Sequence, residues 1–469
     1  MLDLKGVIMI KITLEELLKI TEGSCTHPST TTCTSIEIDS RRVNNQTYFM
    51  PILGEIHDGH KFIEGAFSKG APTSFCEKAY YYSHQSTLKD YPLILVDNTT
   101  TALHKLTVYI LKKTQVKTVG ITGSVGKTST KEFVYHVLNK KYSVHKNKGN
   151  FNNHIGLPLT VMDLVPKHDV AILEMGMNHF KEIEVLADIA RPSVAVVTNI
   201  GTSHIGNLGS RENIFQAKME ITSYLNEEDT LILNGEDDFL KDVSSQHFKC
   251  VQVGTHQLQY SKIVQRLRGF FDYSLCYKGS EYQVSLNVLG KHNIINSLLA
   301  IAVGLAMDIS IEDCVLGVSE FVDSEKRLEI LDGKKNSVLI SDCYNASQES
   351  MISAIEVLNS FSKKKIAVLG DVLELGEFSK PSHETVGAYL SAHPVDMIIT
   401  FGSDSEHIIN KAIVLGFDEN KTKHFDTIEP LYEYLDEIIE DSVCLIKGSL
   451  GMNMTRIVNA FKGGNSDID

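Results

Sequence analysis

The chain has 469 residues, 42% hydrophobic and 22% charged, a balance that fits a soluble globular protein with ample core. A net charge of −14 with no offsetting basic block excludes a nucleic-acid binder, and the length implies about two or three domains. Eight cysteines without any C-x-x-C pair indicate reduced thiols and a cytoplasmic setting, and no apolar run approaches the roughly 20 residues that insert across a membrane.

Met1 to Ile10 is too short and too weakly charged for a signal peptide, and Met9 reads as an alternative start. Thr13-Leu-Glu-Glu16 opens a capped helix. Residues 9–100 form the first expected unit, a small α/β domain. Within it, Asp39-Ser40-Arg41 beside a strand reads either as a turn that holds an anionic or polar ligand or as a surface turn with a solvated charge pair.

The second unit, residues 101–326, carries the stretch with the most chemistry. The apolar run Val116–Ile121 predicts a buried parallel strand, and Phe133, Val134, Val137 and Leu138 recur at the spacing of one helix face. Between them lies Gly123-Ser124-Val125-Gly126-Lys127-Thr128-Ser129. Strand, glycine loop, Lys-Thr and helix together form a phosphate cradle. The glycines let backbone N–H groups approach phosphate oxygens, and the helix N-terminus adds the positive end of its dipole. Lys127 is placed to neutralise the β- and γ-phosphates of ATP, and the Thr128 hydroxyl to bind Mg²⁺. The spacing Gly123-x-x-Gly126-Lys127-Thr128 is tighter than the general cradle pattern, which would put a glycine where Ile121 stands.

Two further buried strands follow, Asp169–Glu174 and Ser193–Asn199. Ligands of open parallel sheets bind beyond the carboxyl ends of the strands. Glu174 and His204 fall just past such ends, on the edge of the cradle, and are candidate Mg²⁺ partners; a histidine after a strand is otherwise an ordinary loop residue. Short β-like runs occupy 251–289, and Gly290-Lys-His-Asn-Ile-Ile-Asn296 opens a long apolar helix through Leu305. In the third unit, residues 327–469, the runs Val338–Ile340, Lys365–Leu369, Asp396–Thr400 and Ser442–Ile446 alternate with helical patterns. That rhythm predicts a second parallel sheet with helices on both faces. It has no phosphate cradle of its own, so it serves the central site.

The segments Gly120-Ile-Thr-Gly-Ser-Val-Gly-Lys-Thr128, Gly149-Asn-Phe-Asn-Asn153, Glu174-Met-Gly-Met-Asn-His179, Ala190-Arg-Pro192, Thr198-Asn-Ile-Gly201, Ala217-Lys218 and Gly290-x-His-Asn-x-x-Asn296 together resemble the Mur ligase family. Asp342-x-Tyr344-Asn-Ala346 with Ser350-Met351, Leu369-Gly-Asp371 with Glu374-Leu-Gly-Glu377, and Lys447-Gly-Ser449 are similar to the branch that adds D-alanyl-D-alanine. The resemblance implies an α/β protein of three domains: an N-terminal binder of the UDP-sugar-peptide, a central P-loop parallel-sheet ATPase domain, and a C-terminal Rossmann-like domain for the amino substrate. It implies ATP-dependent amide formation between the C-terminal carboxylate of UDP-MurNAc-tripeptide and the amine of D-Ala-D-Ala, through an acyl phosphate, in a monomeric enzyme.

Carried over by position, the resemblance implies that Thr128, Glu174 and His204 surround Mg²⁺. Asn293 and Asn296 approach the adenine, Asp342 the ribose and Arg327 the phosphates. Lys218 matches a lysine that the family carbamylates into an extra anionic Mg²⁺ ligand. Asp39, Ser40 and Arg41 lie by the uridine, Asn152 and Asn153 by the acceptor substrate, and Tyr344 and Asn345 by the incoming dipeptide. Ser347 and Gln348 replace an Asn-Pro pair, Leu450 an arginine, Met219 a glycine and Val125 an asparagine. Two of these departures lie in the third domain, so a ligase of the same mechanism with another amine or carboxylate is the alternative reading. A nucleotide-binding protein without ligation is disfavoured by Lys127, Glu174, His204 and Lys218 standing together.

Overall fold

The computed structural model describes residues 11–27, 32–33, 35–54, 57–255, 258–322 and 327–463. The expectations that fall on Met1–Ile10, and the domain ends set at residues 9, 326 and 469, lie outside these. Thr13 caps the helix Leu14–Thr21 as its sequence predicts: its hydroxyl accepts from Glu16 N–H, and the Glu16 carboxylate accepts from Thr13 N–H at 2.8 Å.

The first sheet has five short strands, in the spatial order Ser24–Cys25, Leu93–Val96, Ser74–Glu77, Thr47–Phe49, Ser35–Glu37. His60, buried at its edge, accepts from Glu77 N–H at Nε2 and reaches Asp58 through Nδ1 at 2.7 Å, so Asp58-Gly-His60 staples a turn to a strand. The helix Thr99–Thr114 then leads out of this unit. It packs on Leu14–Thr21 on one side and on Gly156–Met162 and Glu182–Ala190 of the central unit on the other.

The central sheet has six parallel strands, in the order Lys249–Val253, Thr230–Asn234, Val194–Val197, Lys117–Thr122, Val170–Glu174, Val144–Lys146. Alternation divides its two faces. Ala171 and Leu173 join the core shared with the helix Glu182–Ala190, while Val170 and Ile172 join Phe133, Val134, Val137 and Leu138 on the opposite side. That second face is closed by the helix Asn293–Ala306, whose Leu298, Leu299, Ile301 and Val303 are fully buried and each contribute about 1.5–3 kcal/mol. A three-stranded antiparallel sheet, Gln259–Gln265, Phe271–Tyr277 and Ser280–Ser285, packs beside it.

The third unit contains the second sheet expected from its rhythm, with one difference. Five strands are parallel, in the order Val338–Asp342, Ser442–Lys447, Lys364–Gly370, Met397–Phe401, Thr422–Phe425, but Glu329–Asp332 adds an antiparallel edge. That strand is only half-buried and lacks the apolar run of its neighbours, so periodicity did not reveal it. The Asn-Pro replacement has a local account. Ser347 is the N-cap of the helix Gln348–Asn359 and accepts from Ser350 N–H, and Gln348 occupies the first helical position, where proline is favoured but not required.

Candidate functional site

The carboxyl ends of the central strands and the facing end of the third unit enclose a cavity of about 1070 Å³. Ser124, Val125, Gly126, Lys127, Thr128 and Ser129 form one wall, and Asn152, Asn153, Glu174 and His204 a second. Asn293, Asn296, Arg327, Asp342, Tyr344 and Asn345 complete it. Most of the residues singled out in the sequence therefore converge on one space. Gly123 lies behind the wall, where the Thr198 hydroxyl fills the position a side chain would need.

The cradle is built as its sequence predicts, from the strand Lys117–Thr122 into the helix Lys127–Leu138. Gly126 has φ +82°, a left-handed conformation that glycine adopts without strain, and the Asn296 amide packs against it. The loop is braced by the next strand's end. Asn199 accepts from Val125 N–H at 3.0 Å, and the Thr198 hydroxyl donates to Val125 C=O at 2.6 Å. Lys127 curls over the loop and donates to Gly123 C=O at 2.7 Å and Ser124 C=O at 3.3 Å. Burial lowers its pKa, with Glu174 opposing the shift and Arg327 adding to it.

Thr128 and Glu174 form the centre of the site. The Thr128 hydroxyl donates to Glu174 Oε2 at 3.1 Å, Asn152 Nδ2 donates to Oε1 at 2.9 Å, and Arg327 from the third unit donates to Thr128 Oγ1 at 3.3 Å. A hydroxyl and one carboxylate beside a phosphate cradle suit Mg²⁺, which binds through one or two protein oxygens, water and substrate phosphates. Among the described residues no cluster of three or more His, Cys, Asp or Glu forms a cage for a metal, as such a shared site would not need.

His204 and Lys218 stand differently from Glu174. His204 lines the cavity with φ +65°, and burial, with the nearby Lys127 and Lys218, pushes its pKa down to about 4. The ring is therefore neutral at pH 7, and its 3.4 Å approach to Glu374 is not an ion pair. Nδ1 is buried without a hydrogen-bond partner. Lys218 lies behind the cavity wall at the end of the helix Arg211–Met219, 2% exposed. Among the described residues it makes no hydrogen bond or ion pair, and burial, with Lys127 nearby, lowers its pKa far below that of a free lysine.

Most of the remaining predicted residues already have partners. Asn293 donates to Leu289 C=O and accepts from Asn296, at 2.7 and 2.8 Å. Asp342 is paired with the buried Lys447 at 2.5 Å. The Arg327 guanidinium stacks over the Tyr344 ring, 4.8 Å from its centre. Asn345 accepts from Ala346 N–H, and Asn153 accepts from Gly156 N–H at the start of a helix. Asp39, Ser40 and Arg41 lie apart from the cavity, on an exposed turn where Arg41 clasps Asp39 at 2.8 Å.

Three contributors were not visible in the sequence. Asn147 Oδ1 accepts from Glu174 N–H at 2.6 Å, and the buried Lys131 approaches Glu174 Oε2 at 3.9 Å and Glu132 at 3.7 Å. Glu349 accepts from Thr202 across the boundary between units. Lys131 was readable only as the residue one helical turn after Lys127; the other two carry no local signature.

Comparisons with known proteins match three segments of the chain to one family. Residues 32–107 match the Mur ligase family catalytic domain, 121–304 the Mur ligase middle domain, and 326–450 the Mur ligase glutamate ligase domain. The UDP-N-acetylmuramoyl-tripeptide–D-alanyl-D-alanine ligase of Bacillus subtilis is 36% identical over 96% of this chain and 98% of its own. Among solved structures, MurF of Acinetobacter baumannii superposes with a TM-score of 0.89 at 27% identity, over 96% of this chain and 98% of that one. MurF of Thermotoga maritima in complex with ADP gives 0.80 at 26% identity, over 91% and 96%.

Proposed function

The chain belongs to the Mur ligase family, and from that premise we propose that it is an ATP-dependent ligase of peptidoglycan precursor synthesis. It joins the amine of D-Ala-D-Ala to the C-terminal carboxylate of UDP-MurNAc-tripeptide. The observation that carries this reading is the single cavity in which the phosphate cradle meets Arg327, Asp342 and Tyr344 of the third unit. A carboxylate is a poor electrophile. Phosphorylation by ATP supplies the leaving group, the amine attacks the acyl carbon, and phosphate departs as the amide forms. Such a reaction asks the protein for positioning, charge neutralisation and exclusion of water.

The roles are those the family resemblance implies, and the shared cavity supports them. Lys127 and Arg327 face the phosphates from opposite units, and Asn293, Asn296 and Asp342 border the nucleoside end. Thr128 and Glu174 would hold Mg²⁺, with His204 as a neutral imidazole on the same wall. When bound, Mg²⁺ supplies charge neutralisation at the phosphates. Asn152 and Asn153 flank the reacting carboxylate, and Tyr344 and Asn345 the dipeptide. Asp39, Ser40 and Arg41 are assigned to the uridine end, remote from the reacting carboxylate, in keeping with their place outside the cavity. A buried, unpartnered Lys218 amine whose pKa burial lowers fits carbamylation: its nitrogen would bond to CO₂, one proton would leave to solvent, and the resulting anion would serve as a further Mg²⁺ ligand.

The domain limits we propose are 9–100, 101–326 and 327–469. We propose a monomer. The described cysteines are all free thiols, which supports a cytoplasmic setting. Among the described residues no helix is long and apolar enough to cross a membrane. The amine is tested by phosphate release with UDP-MurNAc-tripeptide against a panel of amino acids and dipeptides. D-Ala-D-Ala is expected to give the highest kcat/KM, and a different amine leading the panel would support the alternative ligase.

Leu450 bears on the same choice. It lines the cavity and is 60% exposed, with no cation at its tip for a dipeptide carboxylate. Leu450→Arg should lower KM for D-Ala-D-Ala about two- to fivefold, the range of a solvent-exposed charge pair. No change in KM or kcat would place residue 450 outside the amine pocket.

A further inference from the structure

The third unit is held on the central one by a contact that none of the assigned roles uses. Glu349, in the first turn of the helix Gln348–Asn359, does not turn back to its own helix N-terminus. Its carboxylate reaches the loop after the strand Val194–Val197, where Oε1 accepts from Thr202 N–H at 2.8 Å and Oε2 from the Thr202 hydroxyl at 3.1 Å. The approach is close: a Cβ on Gly201 would lie 2.9 Å from the carboxylate, which would have to shift.

The loop that offers these donors is braced by hydrogen bonds on both sides of Ile200. Ile200 N–H donates to Asp237 at 2.8 Å, and Arg211, paired with Asp238, donates to Ile200 C=O at 2.7 Å. The same loop touches the phosphate cradle, since Gly201 N–H donates to the Ser124 hydroxyl at 2.9 Å and the Ser203 hydroxyl to Ser124 C=O at 3.3 Å. One carboxylate of the third unit is thus bound to a braced loop that also props the cradle.

We propose that Glu349 is a positioning residue, an interdomain latch that holds the third unit closed over the cradle through Thr202. Its effect on chemistry is indirect: the latch sets how often Arg327 stands at Thr128. Hydrogen bonds to a charged acceptor are among the stronger ones, and losing this pair should reduce the closed-to-open ratio by about tenfold or more. Only the kinetic part of the proposal rests on the ligase reading; the conformational part does not.

The test is solution scattering of the full chain with no ligand and with a saturating non-hydrolysable ATP analogue, alongside steady-state kinetics. Glu349→Ala and Gly201→Ala are each expected to enlarge the unliganded radius of gyration and to return towards the wild-type value with the analogue. KM for ATP should rise while kcat at saturation stays within a fewfold of wild type. Glu349→Gln should rescue most of the closure, because its amide oxygen accepts from Thr202 N–H and its NH₂ donates to the hydroxyl. Scattering for Glu349→Ala identical to wild type overturns the latch. Lost kcat with unchanged scattering also overturns it, and would place Glu349 on the substrate instead. A wild-type chain that releases no phosphate with any acceptor, yet opens on Glu349→Ala, would sink the ligase reading and leave the latch standing.

Discussion

Lys127→Ala is expected to slow ATP turnover by about a hundred- to thousandfold, the cost of removing one well-placed group that stabilises developing charge. The ammonium is the only side-chain cation that the cradle segment 123–129 supplies. It is already bent over the loop, donating to Gly123 and Ser124 C=O, so it meets a phosphate without a search through rotamers. Burial makes the charge stronger in effect as well as costly to keep, and a bound polyphosphate compensates that cost. The substitution should leave the fold intact. Strand and helix on either side are anchored by Val119, Ile121, Phe133 and Val134, all fully buried. Phosphate release and thermal melting measured together separate the two effects. An unchanged rate would remove Lys127 from the mechanism, and a collapsed melting point would make it a structural residue.

Loss of most activity is likewise expected for Lys218→Ala, and Lys218→Arg should not restore it. A cation at this position would sit near Lys127 and repel any Mg²⁺ held by Thr128 and Glu174. The structure gives the amine no carboxylate partner among the described residues, and burial favours its neutral form. A neutral amine reacts with CO₂, and the product is a hard oxygen anion suited to Mg²⁺. Arginine retains the charge and cannot form the carbamate, so it is the informative replacement. If activity depends on the carbamate, bicarbonate should raise the wild-type rate and leave Lys218→Arg unmoved. An added short-chain acid should partly rescue Lys218→Ala. Near-normal turnover by Lys218→Arg would sink the proposal.

What the sequence disclosed depended on how local each signal was. Val170–Glu174 and Val194–Val197 are buried on both faces of a parallel sheet, so they read as continuous apolar runs and were placed to within one residue at three of their ends and two at the fourth. The strands Ser24–Cys25 and Thr47–Phe49 are two and three residues long and leave no period to detect. In the site, the cradle was legible because strand, glycines, Lys-Thr and helix are contiguous. Glu174 was legible as the carboxylate at the end of its strand, and His204 as a residue beyond the end of another.

The supports of those residues were not. Asn147 meets Glu174 across 27 positions and Glu349 meets Thr202 across 147, and neither contact has a motif. Asp39-Ser40-Arg41 shows the converse limit. Its residue types allowed a ligand turn or a charge pair, and the structure has Arg41 clasping Asp39 in the open. Lys218 could be singled out only through the family resemblance, because a lysine on an amphipathic helix is ordinarily a solvated one. Its depth is a tertiary fact.

One isotope measurement tests the acyl-phosphate route most directly. UDP-MurNAc-tripeptide labelled with ¹⁸O in its C-terminal carboxylate is incubated with the enzyme, ATP, Mg²⁺ and D-Ala-D-Ala, and the phosphate released is analysed by mass. Activation as an acyl phosphate transfers one carboxylate oxygen to phosphorus, so each phosphate should carry one ¹⁸O and the new amide should retain the other. Unlabelled phosphate formed in step with product would mean that water, not the carboxylate, attacks ATP, and would contradict the mechanism.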